Sequence, residues 1–288
     1  MSQDGRPDLI YEKFPDKHYA IFTMNRPERL NAGGGDIPRL MDEAVADFSA
    51  DSNMYVGIIT GVGRAFSAGM DLRQRAETNA AIDEVNARLK RGEITSNVRD
   101  REVAAINSRT SFIRKAPPGT LSDNPKPFIA AVNGLAMGGG TERAMDCDIR
   151  IASTESYFAL SEVRRGLIPG GGGCHFAPRL MPMGHAALML LAGGNMSAEE
   201  AYRIGFVQEV VEPDRLIPRC VEIAEQIAGN APLAVQACKK MLQLWRQFGM
   251  AQSQQLQNEI QVRMNASEDS KEGPLAFAEK RTPVWKGR

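Results

Sequence analysis

The chain has 288 residues, 43% of them hydrophobic and 24% charged, an ordinary globular mix that can bury a core without disulfides or metals. Lys+Arg and Asp+Glu both number 35, and a net charge of zero removes the electrostatic signature of a nucleic-acid binder. No run of about 18 apolar residues occurs, so no membrane-spanning helix is expected. The N-terminal stretch to Lys17, with Asp4, Asp8, Glu12 and Asp16, has too short an apolar run for a signal peptide and too much acid for a transit peptide.

The cysteines Cys147, Cys174, Cys220 and Cys238 form no CxxC pair and show no zinc spacing. They read as free thiols in a reducing, cytoplasmic setting. No metal site is expected.

Along the chain, Tyr19 to Met24 predicts a short strand. Ile37, Leu40, Met41, Ala44, Val45 and Phe48 recur at helical spacing, with Pro38 in the first turn. Tyr55 to Thr60 reads as a buried strand, and Gly61 to Gly69 as a glycine-rich loop. Arg73 to Asp123 is polar and poor in apolar anchors. Ile82, Val85 and Leu89 suggest one helix there, and the rest reads as loose. A connection this long is expected to be functional or mobile, as a lid or a wall of a binding pocket.

Phe128 to Val132 predicts another buried strand, followed by Asn133-Gly134 and Gly138-Gly139-Gly140. Thr141 to Met145 reads as helix, and Ile149 to Ala152 and Tyr157 to Leu160 as strands. Ser197-Ala198-Glu199-Glu200 is a capping box, and Gly205 is placed to end its helix. Val207 to Val211 reads as a short strand, and from Asp214 to Lys280 the chain is nearly all helix-forming. The expectation is an α/β core over 1–211, carrying the 73–123 insertion, and a helical region over 212–288.

Two glycine-containing loops follow buried strands, at Gly63 to Asp71 and Asn133 to Glu142. Where such a loop opens a helix, its free N–H groups and the helix dipole favour negative charge. Facing each other, two such loops suit a developing oxyanion. Neither is a P-loop or a GxGxxG turn. Glu142 sits in the first helical turn after the triple glycine, a favourable place for any acidic residue. Glu162 precedes Arg164 and Arg165, where a solvated ion pair is the plainer reading. His18, His175 and His185 stand in no nucleophile motif, and Met181, Met183 and Met189 read as core filler. Asp146 and Asp148 read as polar groups at a helix end and a strand start.

Taken together, these segments resemble the crotonase superfamily, the enoyl-CoA hydratase/isomerase family in particular. The resemblance rests on Asn25 to Ala32, Gly63 to Leu72, Lys126 to Asp148 and Phe158 to Gly173. Ala198 to Ala201 with Gly205-Phe206-Val207 also match, as do Phe277 and Lys280. It implies a spiral of ββα units with a helical C-terminal trimerisation region, assembling as a homotrimer or homohexamer. It implies an oxyanion hole on the N–H groups of Ala68 and Gly139, and catalytic glutamates at Glu142, for the water, and Glu162, for the α-proton. It implies coenzyme A, present as part of the substrate, held around Arg29, Leu30, Ala68, Gly69, Met70, Asp71 and Gly139, with Phe277 and Lys280 reaching a neighbouring subunit's CoA. The expected reaction is hydration of an α,β-unsaturated acyl-CoA. The same resemblance leaves a 3-hydroxyacyl-CoA dehydratase, an enoyl-CoA isomerase or a non-catalytic CoA-binding scaffold as alternatives. Thr141, Arg143, Gly33 to Gly35 and Cys174 to Leu180 depart from the family pattern and bear on which acyl group is bound.

Overall fold

The computed structural model describes Gly5 and residues 7–110, 121–247 and 250–288. The strands β1 (Leu9–Phe14) and β2 (Tyr19–Met24) form an antiparallel hairpin, and α1 (Ile37–Ala50) follows. Three ββα units come next. The first is β3 (Val56–Gly61), β4 (Ala65–Ser67) and α2 (Leu72–Lys90), extended by α3 (Ser96–Thr110). The second is β5 (Phe128–Val132), β6 (Leu135–Met137) and α4 (Gly139–Asp146). The third is β7 (Ile149–Ser153), β8 (Tyr157–Ala159) and α5 (Gly173–Leu180), then α6 (Met183–Ala187). After these come β9 (Asn195–Ser197), α7 (Ala198–Arg203), β10 (Glu209–Val211), α8 (Leu216–Ala228), α9 (Pro232–Gln247), α10 (Met250–Ala266) and α11 (Asp269–Glu279).

The long strand of each unit joins one sheet, ordered β1-β2-β3-β5-β7-β10, and the short strand joins a second, ordered β4-β6-β8-β9. Both sheets are parallel through the three units. This is the expected spiral, and it explains the sequence of the central strands. All six residues of β3 and all five of β5 are buried, as parallel strands covered on both faces must be. On one face Phe22, Phe48 and Phe128 meet, with Phe48 and Phe128 centroids 5.1 Å apart at 58°. Gly57 lies in register with Phe128, and its missing Cβ leaves room for that ring. On the other face Ile58, Ile129 and Ile151 pack on Leu216, Cys220 and Ala224 of α8. The all-helical region after residue 211 therefore begins as a cover for the main sheet.

Several expectations shift. The glycine-rich loop over 61–69 contains β4, and the second loop contains β6; three-residue strands leave little periodicity to read. Strands β1 and β9 and helices α5 and α6 were not foreseen. The supposedly loose part of 73–123 holds α3, which pairs with α2 through Arg88–Glu102 at 2.7 Å and Arg99–Asn86 at 2.9 Å. These two helices exchange polar contacts over a mostly exposed surface, so they lack the apolar stripe that makes a helix legible. Residues 111–120 lie outside the described ones. Met183 is 68% exposed, whereas Met181 and Met189 are buried. Asp146 accepts the Leu121 and Ser122 N–H groups, and Asp148 accepts the Phe128 N–H and pairs with the buried Lys239 at 2.8 Å. Among the described residues no group of three His, Cys, Asp or Glu could hold a metal, and no helix is long and apolar enough to cross a membrane.

Candidate active site

The parallel pairing of β4 with β6, and of β6 with β8, fixes the site, because each strand ends at the same edge. Ala68 to Met70 follow β4, Gly138-Gly139 follow β6, and Glu162 lies shortly after β8. Gly69 has φ 79°, and a Cβ there would stand 2.7 Å from the Gly139 nitrogen. Gly138 adopts φ 53°, ψ −123°, and a Cβ there would stand 2.8 Å from Glu162 Oε1. Only glycine fits either position, and the two backbones meet because of it.

The expected oxyanion donor on the first loop is corrected. Ala68 N–H donates to the Leu30 carbonyl at 2.9 Å, and a turn with Leu30 and Asn31 at φ 52° and 54° presents that carbonyl. Two residues on, Met70 N–H donates to no described residue, and neither does Gly139 N–H at the start of α4. Met70 and Gly139, rather than Ala68 and Gly139, hold the uncommitted pair of donors.

Ala68, Met70, Gly139, Glu142 and Glu162 all line one cavity of about 310 Å³. Glu142 is buried in the first turn of α4, and its Oε1 accepts two backbone N–H groups, Gly171 at 2.7 Å and Gly173 at 2.8 Å. Burial pushes its carboxyl above the usual range, and those two donors pull partly the other way. Glu162 is half-buried, and its Oε2 is buried with no hydrogen-bond partner among the described residues. Burial raises its carboxyl too; its own backbone N–H works against this, Glu142 adds to it, and Arg165 opposes it weakly. The plain reading of Glu162 as a solvated ion pair with Arg164 or Arg165 does not hold, because Arg164 donates to the Ala192 carbonyl and Arg165 to Ser161.

The other expected residues divide. Leu30 borders the site through its carbonyl, and Arg29 ends the adjacent turn, which Asn31 ties to Val62 and Ala65 at 3.0 and 2.7 Å. Neither Arg29 nor Leu30 lines the cavity. Asp71 is committed as the cap of α2, accepting from Arg73 and Gln74 N–H, with Arg26 3.6 Å away. Phe277 is 87% exposed on α11 and Lys280 closes that helix at φ 53°; both stand outside the cavity of their own chain. The sequence reading missed the N–H pair of Gly171 and Gly173. The Gly170 to Gly173 run before α5 was the available signal, since consecutive glycines ahead of a helix free N–H groups for a carboxylate. It also missed Arg75 and Arg165 at the cavity.

The enoyl-CoA hydratase/isomerase family model matches residues 17–108 and 116–288. A short-chain-enoyl-CoA hydratase of Clostridium acetobutylicum is 36% identical over 275 residues, covering 95% of each chain. A carnitinyl-CoA dehydratase of Proteus mirabilis is 36% identical over 270 residues, 92% of this chain and 94% of the relative. The crystal structure of an enoyl-CoA hydratase from Mycobacterium tuberculosis H37Rv superposes with a TM-score of 0.81 at 34% identity, covering 98% of this chain and all of that one. The chain belongs to the enoyl-CoA hydratase/isomerase family.

Proposed function

We propose that the protein hydrates a short α,β-unsaturated acyl-CoA to the 3-hydroxyacyl-CoA, and catalyses the reverse dehydration. The observation that carries this reading is the unequal pair of carboxylates, Glu142 and Glu162, in one cavity with the Met70 and Gly139 N–H groups. The thioester oxygen accepts both N–H groups. Preorganised donors of this kind stabilise the enolate, and losing one typically costs about 3–4 kcal/mol.

The two glutamates have different environments and so different tasks. Glu142, with two N–H donors on Oε1, is the better placed to be ionised, and its Oε2 takes a proton from water. The water oxygen bonds to Cβ, the Cα=Cβ π pair becomes the enolate bond between Cα and the thioester carbon, and the carbonyl π pair moves to the thioester oxygen. Glu162, whose Oε2 has no donor to stabilise a charge, carries the proton delivered to Cα as the carbonyl re-forms. Proton exchange with solvent resets the pair. The only cofactor this reading needs is the CoA already present in the substrate.

The acyl group enters the cavity of about 310 Å³ beside the glutamates. The relatives' names carry different acyl groups, so the acyl identity is not inherited from them. A trimeric or hexameric assembly is supported by the apolar groups exposed on the C-terminal helices, Leu242, Trp245, Val262, Leu275 and Phe277. Four free cysteines support a reducing, cytoplasmic setting. The test is a screen of enoyl-CoA esters for loss of the enoyl-thioester absorbance. Turnover of short esters supports the reading, and a protein inert toward all of them overturns it.

A further inference from the structure

The cavity holds two charged side chains that the hydration chemistry leaves unused. Arg75 projects from the first turns of α2, and Arg165 ends the turn that begins at Glu162; both line the cavity from exposed positions. Neither forms an ion pair among the described residues. Arg75 Nη1 donates to the Met70 sulfur at 3.1 Å, a weak acceptor. Arg165 Nη1 donates to Ser161 Oγ at 3.0 Å and to the Ser161 carbonyl at 3.4 Å. By contrast Arg88 and Arg91, further along α2, each sit against glutamates at 2.9 Å or less. The anchors on Met70 and Ser161 hold the two guanidinium groups at the cavity while leaving most of their five donors free.

A saturated alkyl chain is poorly served by such a lining. It would strip water from two cations and return no hydrogen bond. A carboxylate would take a charge-assisted, two-pronged contact from either guanidinium. The phosphates of CoA are not the natural occupant, because the pantetheine arm separates them from the sulfur, and the sulfur must lie beside Met70 and Gly139. Apart from the two arginines, the charged groups lining the cavity are Glu142 and Glu162, and the ionised Glu142 would repel an anionic acyl end.

We propose that Arg75 and Arg165 form a clamp for a second carboxylate at the far end of the acyl group. The preferred substrate class is then the mono-CoA thioester of a short unsaturated dicarboxylic acid. This inference rests on the hydratase reading and narrows its substrate.

The experiment compares glutaconyl-CoA, which carries a terminal carboxylate, with crotonyl-CoA, which does not, in the wild type and in Arg75→Gln, Arg165→Gln and the double variant. Both residues are exposed, so folding is preserved, and thermal melts check it. The clamp predicts that wild-type kcat/KM favours glutaconyl-CoA. Each glutamine variant should raise KM for that ester about tenfold, the size of one lost charge-assisted contact. In Arg75→Gln, KM for crotonyl-CoA and inhibition by free CoA should stay within about twofold, and Arg→Lys at either position should recover part of the loss on glutaconyl-CoA. Equal losses on both esters, or weakened inhibition by free CoA, would assign the arginines to CoA and overturn the clamp. Unchanged kinetics on both esters would overturn it too. In either case the turnover of crotonyl-CoA keeps the hydratase reading intact; a wild type that hydrates neither ester removes both.

Discussion

Glu142 Oε1 is held by the backbone N–H of Gly173 at 2.8 Å, so the helix after the triple glycine is locked to the loop that follows the second glutamate. Gly171 N–H makes the same contact at 2.7 Å, and a Cβ at Gly171 would stand 2.6 Å from Glu142 Oε2. The Glu142 carboxylate is positioned by backbone N–H groups and not by side-chain partners. Its chemistry is therefore sensitive to Gly171 and Gly173, which lie outside the cavity lining.

Removing either carboxylate's acid–base capacity should abolish most turnover. Glu142→Gln and Glu162→Gln should each lower kcat by roughly 10²-fold or more on a confirmed substrate. Calorimetric titration with CoA should show binding retained, since neither side chain is placed to hold CoA. A variant with near-wild-type kcat would remove that glutamate from the mechanism.

The glycine prediction concerns Gly138. Its φ 53°, ψ −123° conformation is nearly closed to other residues, and an alanine Cβ would press on Glu162 Oε1 at 2.8 Å. Gly138→Ala should destabilise the fold by about 1–3 kcal/mol and displace Glu162 as well. Urea unfolding measures the first effect and kcat the second. An alanine variant with wild-type stability would contradict the strained geometry.

How much of this was legible in the sequence follows from particular residues. Glu142 and Glu162 stood out because they follow strands and glycines whose pattern resembles the family. The buried strands β3 and β5 were read to within a residue, because continuous apolar runs flanked by turns are distinctive. The donor at Met70 was not legible. A backbone N–H has no sequence signature, and nothing in the sequence shows that Ala68 N–H is committed to the Leu30 carbonyl. Helix α3 was hidden because its face toward α2 is polar.

A pH prediction follows from burial. Both carboxyls have folded-state pKa values raised above their unfolded values. Stability from such a group is fully present below the unfolded carboxylate pKa, near 4, and is lost as pH rises through the folded value. Glu162→Gln removes that loss. Its melting temperature should exceed that of the wild type at pH 7–8, with the gain shrinking as pH falls toward about 4. A gain that stays constant with pH would show that titration of Glu162 is not its source.

The wall formed by α2 makes a specificity prediction. Leu72 lines the cavity from the start of that helix, immediately before the polar excursion from Arg73 to Asp123 that the sequence marks as a lid or pocket wall. Leu72→Ala should raise kcat/KM for longer enoyl-CoA esters relative to crotonyl-CoA by several-fold, since one hydrophobic contact changes discrimination by about 10-fold or more. An unchanged ranking would place the acyl chain elsewhere.

Assembly is tested through Phe277, which is 87% exposed on α11. Light scattering should find a trimer or a hexamer at micromolar concentration. Phe277→Ala should raise KM while leaving kcat nearly unchanged. A monomer at that concentration would contradict the proposed assembly.

The most direct test of the central claim is the mass of the product formed from crotonyl-CoA in D2O, followed alongside the fall in enoyl-thioester absorbance. The Glu142–Glu162 mechanism predicts a product heavier by one water, with one solvent deuterium fixed at Cα and an oxygen at Cβ, and loss of that product in Glu162→Gln. A product that takes up no water would make the protein an isomerase, and substrate left unchanged here and with glutaconyl-CoA would make it a CoA-binding scaffold; either result would contradict the account.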